Sequence, residues 1–300
     1  MKQFFYKLIY SPNINFVLRN LTKYIFFFLP RKYKLPPSGE IKIKLETGNL
    51  KMKTNQTNYL TYCIFWDGYK KFEYTPIFEK LVKKVNSFYD VGSNIGYYSL
   101  IAAKINPNIK VKAFEPALGP LHFLKENVEL NHLKNIKVES IALADKTGEI
   151  EFYEVQSHKY TYIKYNLAGE GNAGSKTSSD MFVKNVVKSI TIDEYLNKNP
   201  DDKVELMKMD TEGTEHYILK NAHNLLSNHK PVIICETLFD TIEKDLEAIL
   251  KPYGYEFYNH VGDGLVKVDS IIRKTDNEVR NCFFVHPSKI ELIKEFILSK

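Results

Sequence analysis

Three short passages hold the residues best able to do chemistry. In Asp90-Val91-Gly92-Ser93-Asn94-Ile95-Gly96 an acid is followed by two glycines, with Ser93 and Asn94 between them. Gly92 and Gly96 let the backbone turn sharply and approach a ligand closely, and a helix beginning there offers free N–H groups. Farther on, Ala113-Phe114-Glu115-Pro116 closes a second apolar run, where the Glu115 carboxylate can accept hydrogen bonds from both hydroxyls of a ribose. A glycine loop followed by such an acid is the pattern of a nucleoside site. The loop is not G-x-G-x-x-G, so it does not spell the pyrophosphate cradle of a dinucleotide fold. Asp90 would repel a diphosphate but suits a ligand carrying an ammonium and a sulfonium.

The third passage is Met207-Lys208-Met209-Asp210-Thr211-Glu212-Gly213-Thr214-Glu215, joined by Ile234-Cys235-Glu236. Asp210, Glu212 and Glu236, gathered at one sheet edge, can deprotonate a hydroxyl, hold a polar substrate or bind a divalent metal such as Mg²⁺. Lys208 is either part of that machinery or a buried ion-pair partner for one of the acids. Glu215 fits a cap for the helix that follows. His158, His216 and His260 are further candidate bases, and Tyr160, Tyr162 and Tyr165 could stack on a sugar face.

These residues act together only if the chain brings them to one edge. From residue 88 short apolar runs alternate with helical segments: FYDVG, a helix from Tyr98 to Lys104, VKAFEP, a helix around HFLKENVELN, then IKVESIALAD, EIEFYEV and VELMKMD. A helix around HYILKNAHNLL, PVIICET and a helix around IEKDLEAIL continue the pattern. Strand and helix in turn imply βαβ units, a mostly parallel sheet and an α/β fold. Such sheets bind ligands at the carboxyl ends of their strands, where the strand order reverses. YEFYNH and CFFVHP add two late strands, and the turn Val261-Gly262-Asp263-Gly264 suggests antiparallel pairing at the sheet edge. Residues 156–187, rich in Gly, Ser, Thr, Asn and Tyr, interrupt the alternation and read as a loop, either a lid or a surface excursion.

Upstream, IKIKLETGNLKMKT alternates about a Thr47-Gly48-Asn49 turn and predicts a hairpin. A helix is expected from Thr75, with Pro76 in its first turn and Ile77, Phe78, Leu81, Val82 and Val85 as its apolar stripe. The chain thus divides into residues 1–37, aromatic and basic; 38–85, a hairpin and helix leading into the core; and 86–300, the domain that carries the site, with the 156–187 insertion.

Taken in order, DVGSNIGYYSLIAA, AFEP, LKENVELN, IALAD, TIDEYL, KMDTEGTEHYILKNA and PVIICE resemble the FkbM-type methyltransferases of the class I methyltransferase superfamily. The likeness runs from about residue 60 to 285, with a looser approach between Gly68 and Glu73. It implies a Rossmann-like, seven-stranded, mostly parallel sheet with a helical and hairpin extension before it. It also implies S-adenosylmethionine as methyl donor and O-methylation, often of sugars in surface glycans or of hydroxyls in secondary metabolites. Carried onto this chain, Gly92, Asn94 and Gly96 would wrap the methionine and ribose, with Asp90, Ser93 and Pro116 beside them. Glu115 would bind the ribose hydroxyls and Ala142 the adenine. Asp210 is the first choice of base, then Glu212 and Glu236. The acceptor expected is a glycan hydroxyl, with a small secondary-metabolite hydroxyl as alternative. A nicotinamide oxidoreductase and a nucleoside-binding protein without activity are the competing classes.

Charged residues make up 26% of the chain and the formal net charge is +6, too weak a bias to argue for nucleic acid, which an acidic acceptor pocket would also repel. Three cysteines, an odd number without a C-x-x-C pair, fit a reducing compartment, the cytoplasm. The first thirty residues show no continuous h-region, and their longest wholly apolar stretch, Ile25 to Leu29, is too short to span a bilayer. Lysines and arginines interleaved with phenylalanines in residues 1–37 suit either a helix packed on the domain or a peripheral contact with the inner face of the membrane.

Overall fold

The computed structural model describes residues 1–25, 30, 33–168 and 182–298. Helices α1 (Lys2–Ile9) and α2 (Pro12–Ile25) precede the hairpin of β1 (Gly39–Leu45) and β2 (Gly48–Thr54), followed by α3 (Tyr59–Asp67) and α4 (Thr75–Leu81). The chain then runs through β3 (Ser87–Val91), α5 (Tyr97–Ile105), β4 (Lys110–Phe114), α6 (Leu118–Leu130), β5 (Ile136–Glu139), β6 (Ala142–Leu143), β7 (Gly148–Val155), β8 (Phe182–Ile190) and α7 (Ile192–Lys198). It ends with β9 (Leu206–Met209), α8 (Glu215–Lys220), β10 (Val232–Glu236), α9 (Glu243–Leu250), β11 (Glu256–Val261), β12 (Gly264–Val268), β13 (Asn281–Val285) and α10 (Ile290–Ile293).

The main sheet has eight strands in the order β12-β11-β13-β10-β9-β3-β4-β5. Neighbours from β5 to β10 pair in parallel, while β13 inserts antiparallel between β10 and β11. The seven strands implied by the resemblance are therefore present, and β12, unforeseen as a strand, adds an eighth by folding back antiparallel on β11 after the expected turn. Strand order reverses between β3 and β9, which opens the crevice where such sheets take ligands.

Side chains alternate across the pleat, so each central strand feeds two cores. Phe88, Leu206, Val232, Ile234 and Phe283 join one core, with α4, α5 and the β1–β2 hairpin. Tyr89, Met207, Met209, Ile233 and Phe284 join the other, with α7, α8 and α9. Both faces are covered, which is why these runs read as nearly continuous apolar segments.

Three expectations change. EIEFYEV forms β7, which pairs antiparallel with β8 in a separate sheet of three strands, β6-β8-β7. Only residues 144–147 separate β6 from β7, too few for the crossover a parallel partner needs. The insertion is likewise not all loop: 182–187 belong to β8, while 169–181 lie outside the described residues. The stripe expected from Thr75 is buried through Val85, but helix α4 itself stops at Leu81.

The two leading helices rest on the hairpin and on the segment after β7. Asn15 accepts the Ser38 N–H at 2.7 Å, and Arg19 donates to the Ser38 carbonyl at 2.6 Å. Tyr6 and Tyr10 meet the ring of Tyr160 edge-on at 5.3 and 5.4 Å. Among the described residues no helix is long and apolar enough to cross a membrane. All three cysteines are buried and reduced.

Candidate functional site

At the switch point the chain turns out of β3 through Gly92, whose φ is +70°. A Cβ there would lie 2.0 Å from the Asp210 carbonyl oxygen, so the loops after β3 and β9 touch backbone to backbone and only glycine fits. The contact is sewn by the Asp210 N–H donating to the Val91 carbonyl at 3.1 Å, while the Gly92 N–H, donating to the Phe114 carbonyl at 3.1 Å, ties the same turn to β4. Asn94, at φ +50°, turns the loop a second time before α5 begins.

A cavity of about 540 Å³ opens here, inside the range typical of small-molecule sites. Gly92, Asn94, Glu115, Pro116, Ala142, Asp210 and Glu212 all line it. Glu115 stands at its base, buried, with one carboxylate oxygen accepting the Asn94 N–H at 2.8 Å and the other the Ala117 N–H at 2.9 Å. Burial pushes this carboxyl up to about 7, against the pull of those two N–H groups. A carboxylate has about four acceptor positions, so two remain for a diol. The apolar side chains of Ile141, Leu143 and Phe152 flank Ala142 and suit a flat heteroaromatic ring.

Asp90, Ser93 and Gly96 were expected to touch the ligand, yet they stand behind the wall. Asp90 is buried, and its Oδ2 accepts the Ser99 N–H at 3.1 Å and the Ser99 hydroxyl at 2.6 Å, so it caps α5 from the preceding strand. Ser93 donates its hydroxyl to the Phe114 carbonyl. At Gly96 a Cβ would come within 2.5 Å of Leu124, so this glycine lets α5 and α6 close together.

Lys208 pairs in register with Asp90 across β3 and β9. Its Nζ lies 3.6 Å from Asp90 and 3.3 Å from Asp210, and it donates to the Gly92 carbonyl at 3.2 Å. Burial would lower the pKa of this amine, but Asp210, Asp90 and Glu73 together hold it raised. Of the two roles open to Lys208, the geometry is that of the buried ion-pair partner. It is also the strut that ties the acid to the glycine loop.

Asp210, Glu212 and Glu236 converge as expected, with one oxygen of each within 4.8 Å of the others. Glu236 does not line the cavity but backs the two that do. Burial, then repulsion by Asp210, Glu212 and Glu215, pushes its carboxyl up to about 9, so this crowd of acids holds a proton at neutral pH. The spread of the oxygens is also loose enough to seat a divalent cation of calcium size, and Mg²⁺ would need them to draw closer. Glu215 lies in the first turn of α8 but does not cap it: its Oε1 accepts the Thr211 N–H at 2.6 Å and so braces the loop that precedes the helix.

The sequence reading did not single out Glu73 as a site residue. Its backbone is left-handed at φ +43°, and its carboxylate accepts the hydroxyl of buried Tyr98 at 2.9 Å, with Lys208 5.8 Å over the same ring. The positive φ was invisible in the sequence, where a glutamate between Phe72 and Tyr74 looks like any surface acid. Of the histidines, His158 lines the cavity, whereas His216 and His260 do not. Burial lowers the pKa of both His216 and His260. Tyr160 and Tyr165 also line the cavity, and Tyr162 braces the segment by accepting from the Gln56 amide at 2.7 Å.

Residues 90–257, more than half of the chain, match the methyltransferase FkbM domain. This chain belongs to the FkbM methyltransferase family. It is 26% identical to methyltransferase sdnD of Sordaria araneosa over 56% of this chain and 72% of that one. With methyltransferase 1 of Beauveria bassiana it shares 23% identity over 50% of this chain and 65% of that one. Among solved structures it is similar to methyltransferase FkbM from Methylobacillus flagellatus, at 16% identity and a TM-score of 0.43, over 76% of this chain but 55% of the other's length.

Membership of the family makes the chain an S-adenosylmethionine-dependent methyltransferase, and the cavity fits that donor. Glu115 would offer its two remaining acceptor positions to the ribose, and the apolar flank around Ala142 would take the adenine. The acids beyond Gly92 complement an ammonium and a sulfonium. When bound, the donor supplies an electrophilic methyl group.

Proposed function

We propose that this family member methylates a hydroxyl, that of a sugar in a surface glycan, with Asp210 as the base. The observation that carries the reading is the position of Asp210. It lines the donor cavity, stays 40% exposed, and is held from behind by Lys208 at 3.3 Å. A sugar hydroxyl is a weak nucleophile at neutral pH, and a positioned base contributes typically about 10² to 10⁴ in rate. Glu236, whose carboxyl burial and the neighbouring acids push up to about 9, backs Asp210, and Asp210 lines the cavity. Tyr160, Tyr165 and His158 supply the aromatic wall against which a pyranose face stacks, while the acids take its hydroxyls. The work of the chain is then alignment: holding oxygen and methyl carbon in line, with water excluded.

The test has two parts. Mass spectrometry of surface glycans from cells with and without the protein should show the loss of one methyl group from one sugar. In vitro, Asp210→Asn should lower kcat at least about 100-fold, far more than it weakens S-adenosylhomocysteine binding. Unaltered glycans together with methylation of a small secondary metabolite would move the acceptor to that class. A rate lost to chelation and restored by Mg²⁺ would replace the base with a cation on the same carboxylates.

A further inference from the structure

Helix α2 is turned inside out. Its polar residues Asn15 and Arg19, one turn apart, face the protein and are 0% and 1% exposed, whereas Ile14, Val17 and Leu21 face solvent at 38%, 53% and 51%. The burial is built. Arg19 donates to Asn15 and to the carbonyls of Ser38 and Glu40, and its guanidinium lies 5.4 Å from the ring of Phe65. The next turn continues the pattern, with the Lys23 amine donating to the Phe65 carbonyl at 2.9 Å. A buried guanidinium with carbonyls as its partners is costly to maintain, and what it secures is the orientation of the opposite, apolar stripe.

Helix α1 repeats the arrangement. Gln3 donates to the Lys159 carbonyl and Tyr6 packs on Tyr160, while Phe4, Phe5 and Leu8 are 69%, 52% and 44% exposed. Viewed down the helix, Lys7 and Lys2 flank that apolar arc on either side. Charge points the same way. The first 39 residues hold seven lysines and arginines and no acid, so they carry +7 of a chain whose total is +6, and the remainder is −1. Arg19 and Lys23 turn inward, but Lys2 and Lys7 stand exposed beside apolar side chains held outward, on a body that is nearly neutral, and together they complement one kind of surface.

We propose that α1 and α2 dock the enzyme on an anionic lipid bilayer, with Phe4, Phe5, Leu8, Val17 and Leu21 entering the interface and the lysines meeting headgroup phosphates. The docking surface adjoins the active site directly, because Tyr160, on which Tyr6 and Tyr10 pack, lines the donor cavity. This inference is independent of which hydroxyl is methylated.

The full chain should co-sediment with phosphatidylcholine vesicles containing phosphatidylglycerol and not with phosphatidylcholine alone. Replacing Lys2 and Lys7 by Gln should weaken partitioning on the order of 25-fold, about fivefold for each charge near the surface. Val17→Glu with Leu21→Glu should abolish it. Both variants alter exposed positions, so their melting midpoints and S-adenosylhomocysteine affinities should stay those of the wild type. Failure of the wild-type chain to pellet with anionic vesicles, or pelleting insensitive to both pairs of substitutions, would overturn the proposal. So would dimerisation in light scattering that Val17→Glu with Leu21→Glu removes, since a second copy would then cover the face.

Discussion

The proton held by the acidic cluster can be tested without knowing the acceptor. Glu236→Gln keeps the shape of the side chain and removes its titration. In the wild-type protein the carboxyl moves from its ordinary 4.5 to about 9 on folding, through burial and the neighbouring Asp210, Glu212 and Glu215. Between those values the folded state binds one proton that the unfolded state lacks. The stabilising protonated form is fully present below about 4.5, and stability is lost as pH rises toward 9, at about 1.4 kcal/mol per pH unit. The slope depends on the proton difference and not on the size of the shift. From pH 6 to pH 8 the wild type should therefore lose about 2.7 kcal/mol at this group, a loss the variant escapes. With an unfolding entropy of about 2.1 cal/mol/K per residue, that is a relative gain of about 4 °C in the variant's midpoint. Calorimetry of both proteins at the two pH values, without ligand or divalent ions, reads it directly. Parallel decline of the two midpoints would show that Glu236 does not hold the proton.

Two further substitutions probe the rest of the site. Glu115→Gln leaves one acceptor oxygen for the Asn94 and Ala117 N–H groups and loses the charge offered to the ribose. At about 1.5–3 kcal/mol for a hydrogen bond to a charged group, S-adenosylhomocysteine should bind about 10- to 100-fold more weakly by titration calorimetry. An affinity within twofold of wild type would remove Glu115 from the donor site. Because the wild-type carboxyl titrates near 7 without ligand, wild-type affinity should also rise from pH 6 to pH 8. Lys208→Met leaves Asp90 buried without its cation and should cost about 3–5 kcal/mol in urea unfolding, most of it recovered by adding Asp90→Asn. Equal losses in the single and double variants would mean the pair is not what Lys208 secures.

Residue types at strand ends made the lining of the cavity legible, because a sheet that alternates strand and helix leaves few other places for a ligand. Gly92, Asn94, Glu115, Pro116, Ala142, Asp210 and Glu212 were found that way, and they line one cavity. Asp90 was misassigned because a strand's last residues point alternately to opposite faces, and which face holds α5 is decided by the packing of the whole sheet. Lys208 could not be resolved between two roles because the register that sets it beside Asp90 is a tertiary fact. The β7–β8 sheet was missed because its second strand lies at the far end of a long insertion. The left-handed Glu73 carried no local signal, whereas the composition of residues 156–168 left them open between a lid and a surface excursion, and they form one wall of the cavity. Composition did flag α1 and α2, but it could not say that the polar side faces inward, since a helical stripe reads the same from either side.

The site is best understood as one mechanical unit made from two strand ends. Gly92 and Asp210 are separated by more than a hundred residues of chain, yet the glycine exists to let their backbones meet. Lys208 then binds both, donating to the Gly92 carbonyl and pairing with the Asp210 carboxylate. On the proposed reading, the loop that would cradle the donor and the acid that would face the acceptor thus share a strut. Displacement at a sulfonium methyl gains most of its rate from the alignment of two reacting centres, on the order of 7 to 11 kcal/mol when alignment is complete. A rigid link between the residues that hold each centre is the simplest way for this fold to retain that alignment. It also gives a reason for a lysine outside the cavity lining to sit between the loops after β3 and β9.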